Sequence, residues 1–132
     1  DVSAIPDLLP ILTVLASCAV GKTVLFNAQN LRHKESDRLS SSAAMINALG
    51  GRAEEYPDRL EITGMGLRGG TIDSFNDHRI AMSAAIAASL SSGYTSISGA
   101  QAVKKSYPDF FRDFEKLGGK IIKCEGGVTH ES

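Results

Sequence analysis

The chain has 132 residues, of which 42% are apolar and 22% charged, with a formal net charge of -1. This is ordinary globular composition and enough length for one domain with a real core. Near-neutral charge and the absence of Trp argue against a nucleic-acid partner, and no global charge draws the chain to an anionic membrane. Two cysteines, Cys18 and Cys124, have no disulfide or metal-ligand spacing, and Cys18 is expected in the core. That cysteine usage fits a reducing compartment. The apolar run from Leu8 to Val20 is broken by Pro10, Thr13 and Ser17 and is too short to span a bilayer. The opening Asp1-Val2-Ser3 has no basic leader and reads as the start of a piece of a longer protein, without a signal peptide.

In chain order, Pro6-Asp7 opens a helix to about Val20 that is apolar on nearly every face and therefore expected to be buried. Pro10 is tolerable in its first turn. Gly21 ends it, and Thr23-Val24-Leu25-Phe26 forms a short strand. After the loop 27–34, Leu39, Ala43, Ile46 and Leu49 recur at helical spacing, so a helix is predicted over Asp37–Leu49, stopped by Gly50-Gly51. Strands follow over Arg52–Tyr56 and Arg59–Ile62 around a Pro57-Asp58 turn. The Gly64–Gly70 loop lacks a Lys-Ser/Thr ending and opens no helix, so it is a poor phosphate loop. Thr71–Phe75 is a possible strand, Ile80–Leu90 a helix opened by Asp77-His78-Arg79, and Thr95–Ile97 a strand. Tyr107–Leu117 is an amphipathic helix and Lys120–Lys123 a last strand, before a polar tail in which Cys124 and His130 receive no role.

The two halves align. Gly21-Lys22-Thr23 matches Gly93-Tyr94-Thr95, Ala28-Gln29 matches Ala100-Gln101, Lys34-Glu35-Ser36 matches Lys104-Lys105-Ser106, and Leu49-Gly50-Gly51 matches Leu117-Gly118-Gly119. The unit is helix–strand–helix–strand, used about twice, which implies an α+β or α/β-like domain with buried helices under mixed sheets.

Polar groups gather at the four helix starts: Asp7; Lys34-Glu35-Ser36-Asp37-Arg38; Asn76-Asp77-His78-Arg79; and Lys104-Lys105-Ser106. Cations at the positive end of a helix dipole are disfavoured by a few tenths of a kcal/mol to about one each, so Arg32, Lys34 and Arg38 make sense if an anion joins them. Stacked repeats would put these starts on one face suited to phosphates and carboxylates. Each residue also has a plainer role. Asp7 and Asp77 serve as N-caps, and Ser36 and Ser106 as caps and nothing more. Arg32 and Lys104 serve as solvated loop charges, Glu35 as a surface ion-pair partner, and His78 as a hydrogen-bonded structural histidine.

Three stretches carry a resemblance to a known family: His33-Lys34-Glu35-Ser36-Asp37-Arg38-Leu39, Asn76-Asp77-His78-Arg79-Ile80-Ala81-Met82, and Lys105-Ser106-Tyr107-Pro108-Asp109-Phe110-Phe111. From Ile5-Pro6-Asp7 to about Lys123 the chain resembles the 5-enolpyruvylshikimate-3-phosphate (EPSP) synthases. The resemblance implies repeated βαβαββ units of the enolpyruvyl transferase fold. It also implies that residues 1–132 are part of a C-terminal domain, with units over roughly 5–75 and 76–123 and without the N-terminal domain. The implied activity is transfer of the enolpyruvyl group of phosphoenolpyruvate to the 5-hydroxyl of shikimate 3-phosphate, with no metal or organic cofactor, in a cytoplasmic monomer (a plastid or fused chain being alternatives). Carried over by motif, Asp7 resembles the base, Glu35 the acid, and Lys105 the lysine at the enolpyruvyl phosphate. Arg38 and Arg79 resemble the phosphoenolpyruvate clamp, His78 its pocket wall, and Asn30 and Lys34, with Asp7, the shikimate 3-phosphate site. The alternatives are the sister transferase acting on UDP-N-acetylglucosamine, whose reactive loop cysteine neither Cys18 nor Cys124 matches, and an isolated anion-binding or structural domain.

Overall fold

The structure, a computed structural model, describes the backbone of residues 1–124 and 127–131 and the side chains of residues 1–122. A 3-10 helix over Pro6–Leu8 leads into α1 (Leu9–Cys18), followed by β1 (Gly21–Leu25) and a second 3-10 helix over Gln29–His33. Next come α2 (Arg38–Ala48), β2 (Arg52–Glu55), β3 (Leu60–Gly64), β4 (Gly70–Asp73), α3 (His78–Ser89) and β5 (Thr95–Ser98). A third 3-10 helix over Ala100–Lys105 precedes α4 (Phe110–Lys116), β6 (Lys120–Cys124) and β7 (Gly127–Glu131).

The strands form two sheets. One is wholly antiparallel, in the order β1-β3-β2; the other is mixed, in the order β4-β5-β7-β6, with β4 parallel to β5 and the remaining pairs antiparallel. Helices α1, α2 and α3 pack on one another between them. Their inward residues Leu9, Val14, Leu39, Ile46, Leu49, Ile80 and Ala84 are fully buried with Leu60, Ile62 and Ile97 from the strands. The alanine-rich face of α3 (Ala81, Ala84, Ala85, Ala87, Ala88) lets neighbouring backbone approach closely.

Several expectations change. The first helix is not buried all round: α1 carries exposed Leu15 and an exposed free Cys18, so the cysteine lies outside the core. Periodicity could not show this, because α1 is apolar on faces that other elements do not cover. The strand expected at Thr71–Phe75 is β4, and it belongs to the second sheet through its parallel pairing with β5. Strand β7 was not foreseen, since Gly127-Val128-Thr129-His130-Glu131 has a single aliphatic residue and gains its order from pairing on both sides. Cys124 and His130 fall in these two strands, with side chains outside the described residues.

One close approach fixes how α1 meets the first sheet. The amides of Met65 and Gly66 both donate to the Ser17 carbonyl, which draws Gly64 against the end of α1. A Cβ on Gly64 would lie 1.7 Å from the Ala19 carbonyl oxygen, whereas one on Gly66 would meet nothing, although its φ is +76°. Gly64→Ala is therefore expected to destabilise the fold by about 3 kcal/mol through a backbone clash. Gly66→Ala should lose only about 1 kcal/mol from its left-handed conformation. Urea midpoints of the two variants against the parent chain check the difference.

Candidate active site

The charged helix starts of α2 and α3 are built by aspartates, not serines. Asp37 caps α2 by accepting the Ser40 amide at 3.3 Å, and Asp77 caps α3 by accepting the Arg79 amide at 2.9 Å. Ser36 is therefore not the cap of α2. Ser106 is not the N-cap of α4, which begins only at Phe110; it ends the 3-10 helix over Ala100–Lys105 instead. Asp7 sits inside the 3-10 helix Pro6–Leu8 and caps nothing.

Arg38, the first residue of α2, is 1% exposed. Its guanidinium gathers three carboxylates from three separate segments. Nε donates to Asp77 Oδ2 at 3.0 Å and Nη2 to Asp77 Oδ1 at 3.3 Å. Nη1 donates to Asp7 Oδ1 at 2.8 Å, and Nη2 also to Glu35 Oε2 at 2.6 Å. Asp77 is fully buried, and Ser36 Oγ donates to its Oδ2 at 2.7 Å. Burial by itself pushes the Asp77 carboxyl up. Hydrogen bonds from Arg38 and Ser36, the Arg38 charge and the Arg79 amide more than offset this and hold it below the usual carboxylate range. The Asp7 carboxyl is also lowered, chiefly by its hydrogen bond from Arg38, with burial opposing, and further by the charges of Arg79, Arg38 and Lys34.

The approach to Asp77 is strained. Phe75 and Asn76 are consecutive non-glycine residues with φ of 55° each. The turn is pinned by Asp73 Oδ1 on the Phe75 amide at 2.7 Å and Ser74 Oγ on the Asn76 amide at 3.2 Å. It also presents the Asn76 carbonyl to Lys105 Nζ at 2.6 Å. Ser106 Oγ pairs with His78 Nδ1 at 2.5 Å, so the end of the third 3-10 helix lies against the start of α3.

Of the eight sequence-predicted site residues, Asp7, Glu35 and Arg38 are joined directly, with Arg79 Nη2 3.7 Å from Asp7 Oδ2. His78 and Lys105 reach the same place through Ser106 and Asn76. Lys34 is exposed beside the cluster, and its charge acts on Asp7. Asn30 is exposed on the 3-10 helix Gln29–His33, outside the bonds that tie the cluster. The expectation that Arg32 and Arg38 await an outside anion is corrected, because the chain supplies their partners. Arg32 is held by Asp37 and Glu55 at 2.8 Å each and by the Tyr56 and Pro57 carbonyls. The cations of these segments that face solvent include Lys34, Lys104 and Lys105, with Arg79 half-buried, and the buried Nε of Arg79 has no partner. Beside Arg79 an open groove of about 200 Å³ is lined by Asp7, Leu8, Ile11, Met82, Ser83 and Ile86.

Glu35, Asp77 and His78 offer ligand atoms within 4.8 Å of one another. Both Asp77 oxygens already accept donors, and the Arg38 charge lies against them, so the trio is a poor cation site. The arrangement sets cations and a helix N-terminus beside two carboxylates that Arg38 holds together.

The family model of EPSP synthase (3-phosphoshikimate 1-carboxyvinyltransferase) matches residues 1–114. The chain belongs to the EPSP synthase family. It is 46% identical over 121 residues to a 3-phosphoshikimate 1-carboxyvinyltransferase of Methanocella arvoryzae, covering 92% of this chain and 29% of that protein. It is 48% identical over 128 residues to one of Clostridium novyi, covering 96% and 29%. An EPSP synthase structure from Acinetobacter baumannii superposes with a TM-score of 0.84 at 37% identity, over 89% of this chain and 28% of that one. The chain thus spans less than a third of the length of these EPSP synthases.

The functional residues that sequence reading undervalued are Asp77, given only a cap's role, and Ser36 and Ser106. Nothing local reveals that Ser36 meets an aspartate 41 positions away. Asp77→Asn removes the charge that pairs a buried guanidinium, so stability at pH 7 should fall by about 3–5 kcal/mol. Because the folded Asp77 and Asp7 carboxyls lie below their unfolded values, their contribution is full above about pH 4 and is lost as pH drops through the lowered folded values. Urea midpoints measured from pH 7 to pH 2 should show a steep acid loss in the parent chain and a shallower one in Asp77→Asn.

Proposed function

We propose that this chain is part of the C-terminal domain of an enzyme that moves the enolpyruvyl group of phosphoenolpyruvate to the 5-hydroxyl of shikimate 3-phosphate and releases phosphate. The observation that carries this reading is Arg38, which holds Asp7 and Glu35 on one guanidinium. The reaction needs a base and an acid at neighbouring atoms, and each positioned group typically contributes about 10²–10⁴-fold. Asp7 takes the proton from the 5-hydroxyl as its oxygen attacks C2. Its carboxylate is ionised at neutral pH, and the Arg38 hydrogen bond holds it in place. Glu35 protonates the C3 methylene. The tetrahedral adduct then loses phosphate from C2, which leaves with the proton gathered by Asp7, while the C3 proton returns to the Glu35 carboxylate and the double bond is restored.

The open cations serve the anionic substrates. Arg79 holds the phosphoenolpyruvate carboxylate, Arg38 positions Asp7 and Glu35 around it, Lys105 holds its phosphate, and His78 lines the pocket. Asn30 and Lys34, with Asp7, hold shikimate 3-phosphate. The remaining binding groups belong to the N-terminal domain of the intact enzyme, so the chain by itself should bind weakly and not turn over. We further infer a monomeric cytoplasmic enzyme that needs no metal or organic cofactor; among the described residues, no helix is long and apolar enough to cross a membrane. The repeat units, expected over roughly 5–75 and 76–123, are better divided before Gly70. The order β4-α3-β5-α4-β6-β7 then makes one βαβαββ unit, with β4 parallel to β5.

Titration of the chain with phosphoenolpyruvate and shikimate 3-phosphate, followed by backbone amide NMR shifts, tests the site. Shifts are expected at Lys34, Arg38, Arg79 and Lys105 at millimolar ligand, without phosphate release; no shift at these residues would overturn a preformed site. In the complete enzyme, Glu35→Gln should abolish exchange of the phosphoenolpyruvate methylene protons and lower turnover by at least about 10²-fold with substrate binding retained. Near-normal turnover would remove Glu35 from the acid's role.

A further inference from the structure

Ser36 and Ser106 hold equivalent places in the two halves, each closing a Lys-X-Ser triplet beyond the last turn of a 3-10 helix or at its end, and neither is the N-cap of an α-helix. Both hydroxyls instead reach the first residues of the same helix. Ser36 Oγ lies 2.7 Å from Asp77 Oδ2, and Ser106 Oγ lies 2.5 Å from His78 Nδ1. We propose that the two serines are positioning residues that grip the start of α3 from opposite sides, Ser36 fixing the Asp77 carboxylate that holds Arg38 and Ser106 fixing the imidazole of His78.

Proton counting sets the direction of the first contact. Ionised Asp77 only accepts, so the Ser36 hydroxyl must donate to it. Ser36 then can only accept from Ser41 Oγ, 2.9 Å away, although Ser41 also reaches the Asp37 carbonyl at 2.9 Å. Ser41 is buried on the first turn of α2. The chain of contacts Ser41–Ser36–Asp77–Arg38 therefore ties the first turn of α2 to the first turn of α3. Arg38 and the Arg79 amide reach Asp77 from α2 and α3 themselves. Ser36 adds a donor from the segment before α2, and this holds the carboxylate plane against rotation about its Cβ–Cγ bond. That plane sets the direction in which the Arg38 Nη1 and Nη2 groups face Asp7 and Glu35.

Ser106 acts on a different property. Neutral imidazole carries one proton, and a hydroxyl at Nδ1 can donate to that nitrogen or accept from it, so the contact orients the ring and the tautomer follows from which group gives the proton. With Ser106 donating to Nδ1, the Nε2–H is left as the donor that His78 can offer. Ser106 is exposed, so its contribution lies in the tautomer and ring orientation more than in stability.

The catalytic consequence rests on the enolpyruvyl-transfer reading, but the geometry can be tested apart from it. In the isotopically labelled chain, nitrogen-detected NMR follows hydrogen exchange at Arg38 Nε–H and the ring nitrogens of His78. Ser36→Ala should speed exchange at Arg38 Nε–H on the order of tenfold. Ser36→Thr should restore it, and Arg32 Nε–H, bonded to the Pro57 carbonyl, should not change. Ser106→Ala should convert a single His78 tautomer into a mixture. Unchanged Arg38 exchange overturns the role of Ser36, and unchanged His78 nitrogens overturn that of Ser106. Should Ser36→Ala not fold, the parent chain still decides: an Arg38 Nε–H exchanging as fast as that of exposed Arg52 overturns the proposal. Phosphoenolpyruvate affinity of Ser36→Ala should fall on the order of tenfold. If the parent chain does not bind phosphoenolpyruvate at all, the functional reading fails, while the exchange and tautomer measurements still judge the serines.

Discussion

A single guanidinium buried almost completely from water is the constraint on which this structure turns. Moving a charge of that size out of solvent costs several kcal/mol unless its hydrogen-bonding edges are filled by opposite charge. Arg38 meets that demand with Asp77, Asp7 and Glu35, drawn from the start of α3, the 3-10 helix before α1, and the segment before α2. Three stretches far apart in the chain must converge for the fold to close, so the candidate site is also a structural junction. Stability and chemistry are not separable here.

The same junction explains why the turn before Asp77 tolerates strain. Two consecutive left-handed residues, Phe75 and Asn76, each cost on the order of 1 kcal/mol or more. In return the Asp77 carboxylate faces inward onto Arg38, and the Asn76 carbonyl faces outward onto Lys105. One lysine is thereby held at the rim by a neutral acceptor, not by a carboxylate, so its charge remains available to an incoming anion. Arg32, by contrast, spends its donors on Asp37, Glu55 and two carbonyls, and serves to fasten the helix Gln29–His33 to the β2–β3 hairpin. Similar cations a few residues apart thus do different jobs, separated by what the fold places opposite them.

Much of the architecture was legible along the chain. Helical spacing of Leu39, Ala43, Ile46 and Leu49 marked α2, because periodicity follows from which face is buried, and the Pro57-Asp58 turn marked the β2–β3 hairpin. Where neighbours decided, the pattern failed. Cys18 is as apolar in context as Val14 and lies on nearly the same face, yet one is exposed and the other buried, since Cys18 is the last residue of α1. Strand β7 is ordered by partners on both edges and not by its own composition.

By itself the sequence determined most of the helices and strands and the charged starts of α2 and α3, because capping, periodicity and short-range charge placement are local properties of the chain. Only the tertiary structure decided which charges would meet. It joined Ser36 to Asp77 and Arg38 to Asp7 across 41 and 31 positions, and it left Lys34 and Lys105 facing solvent. The reason is physical. A helix start fixes where a side chain begins, but the partner that neutralises it, and the burial that makes neutralisation compulsory, come from segments that sequence spacing does not relate.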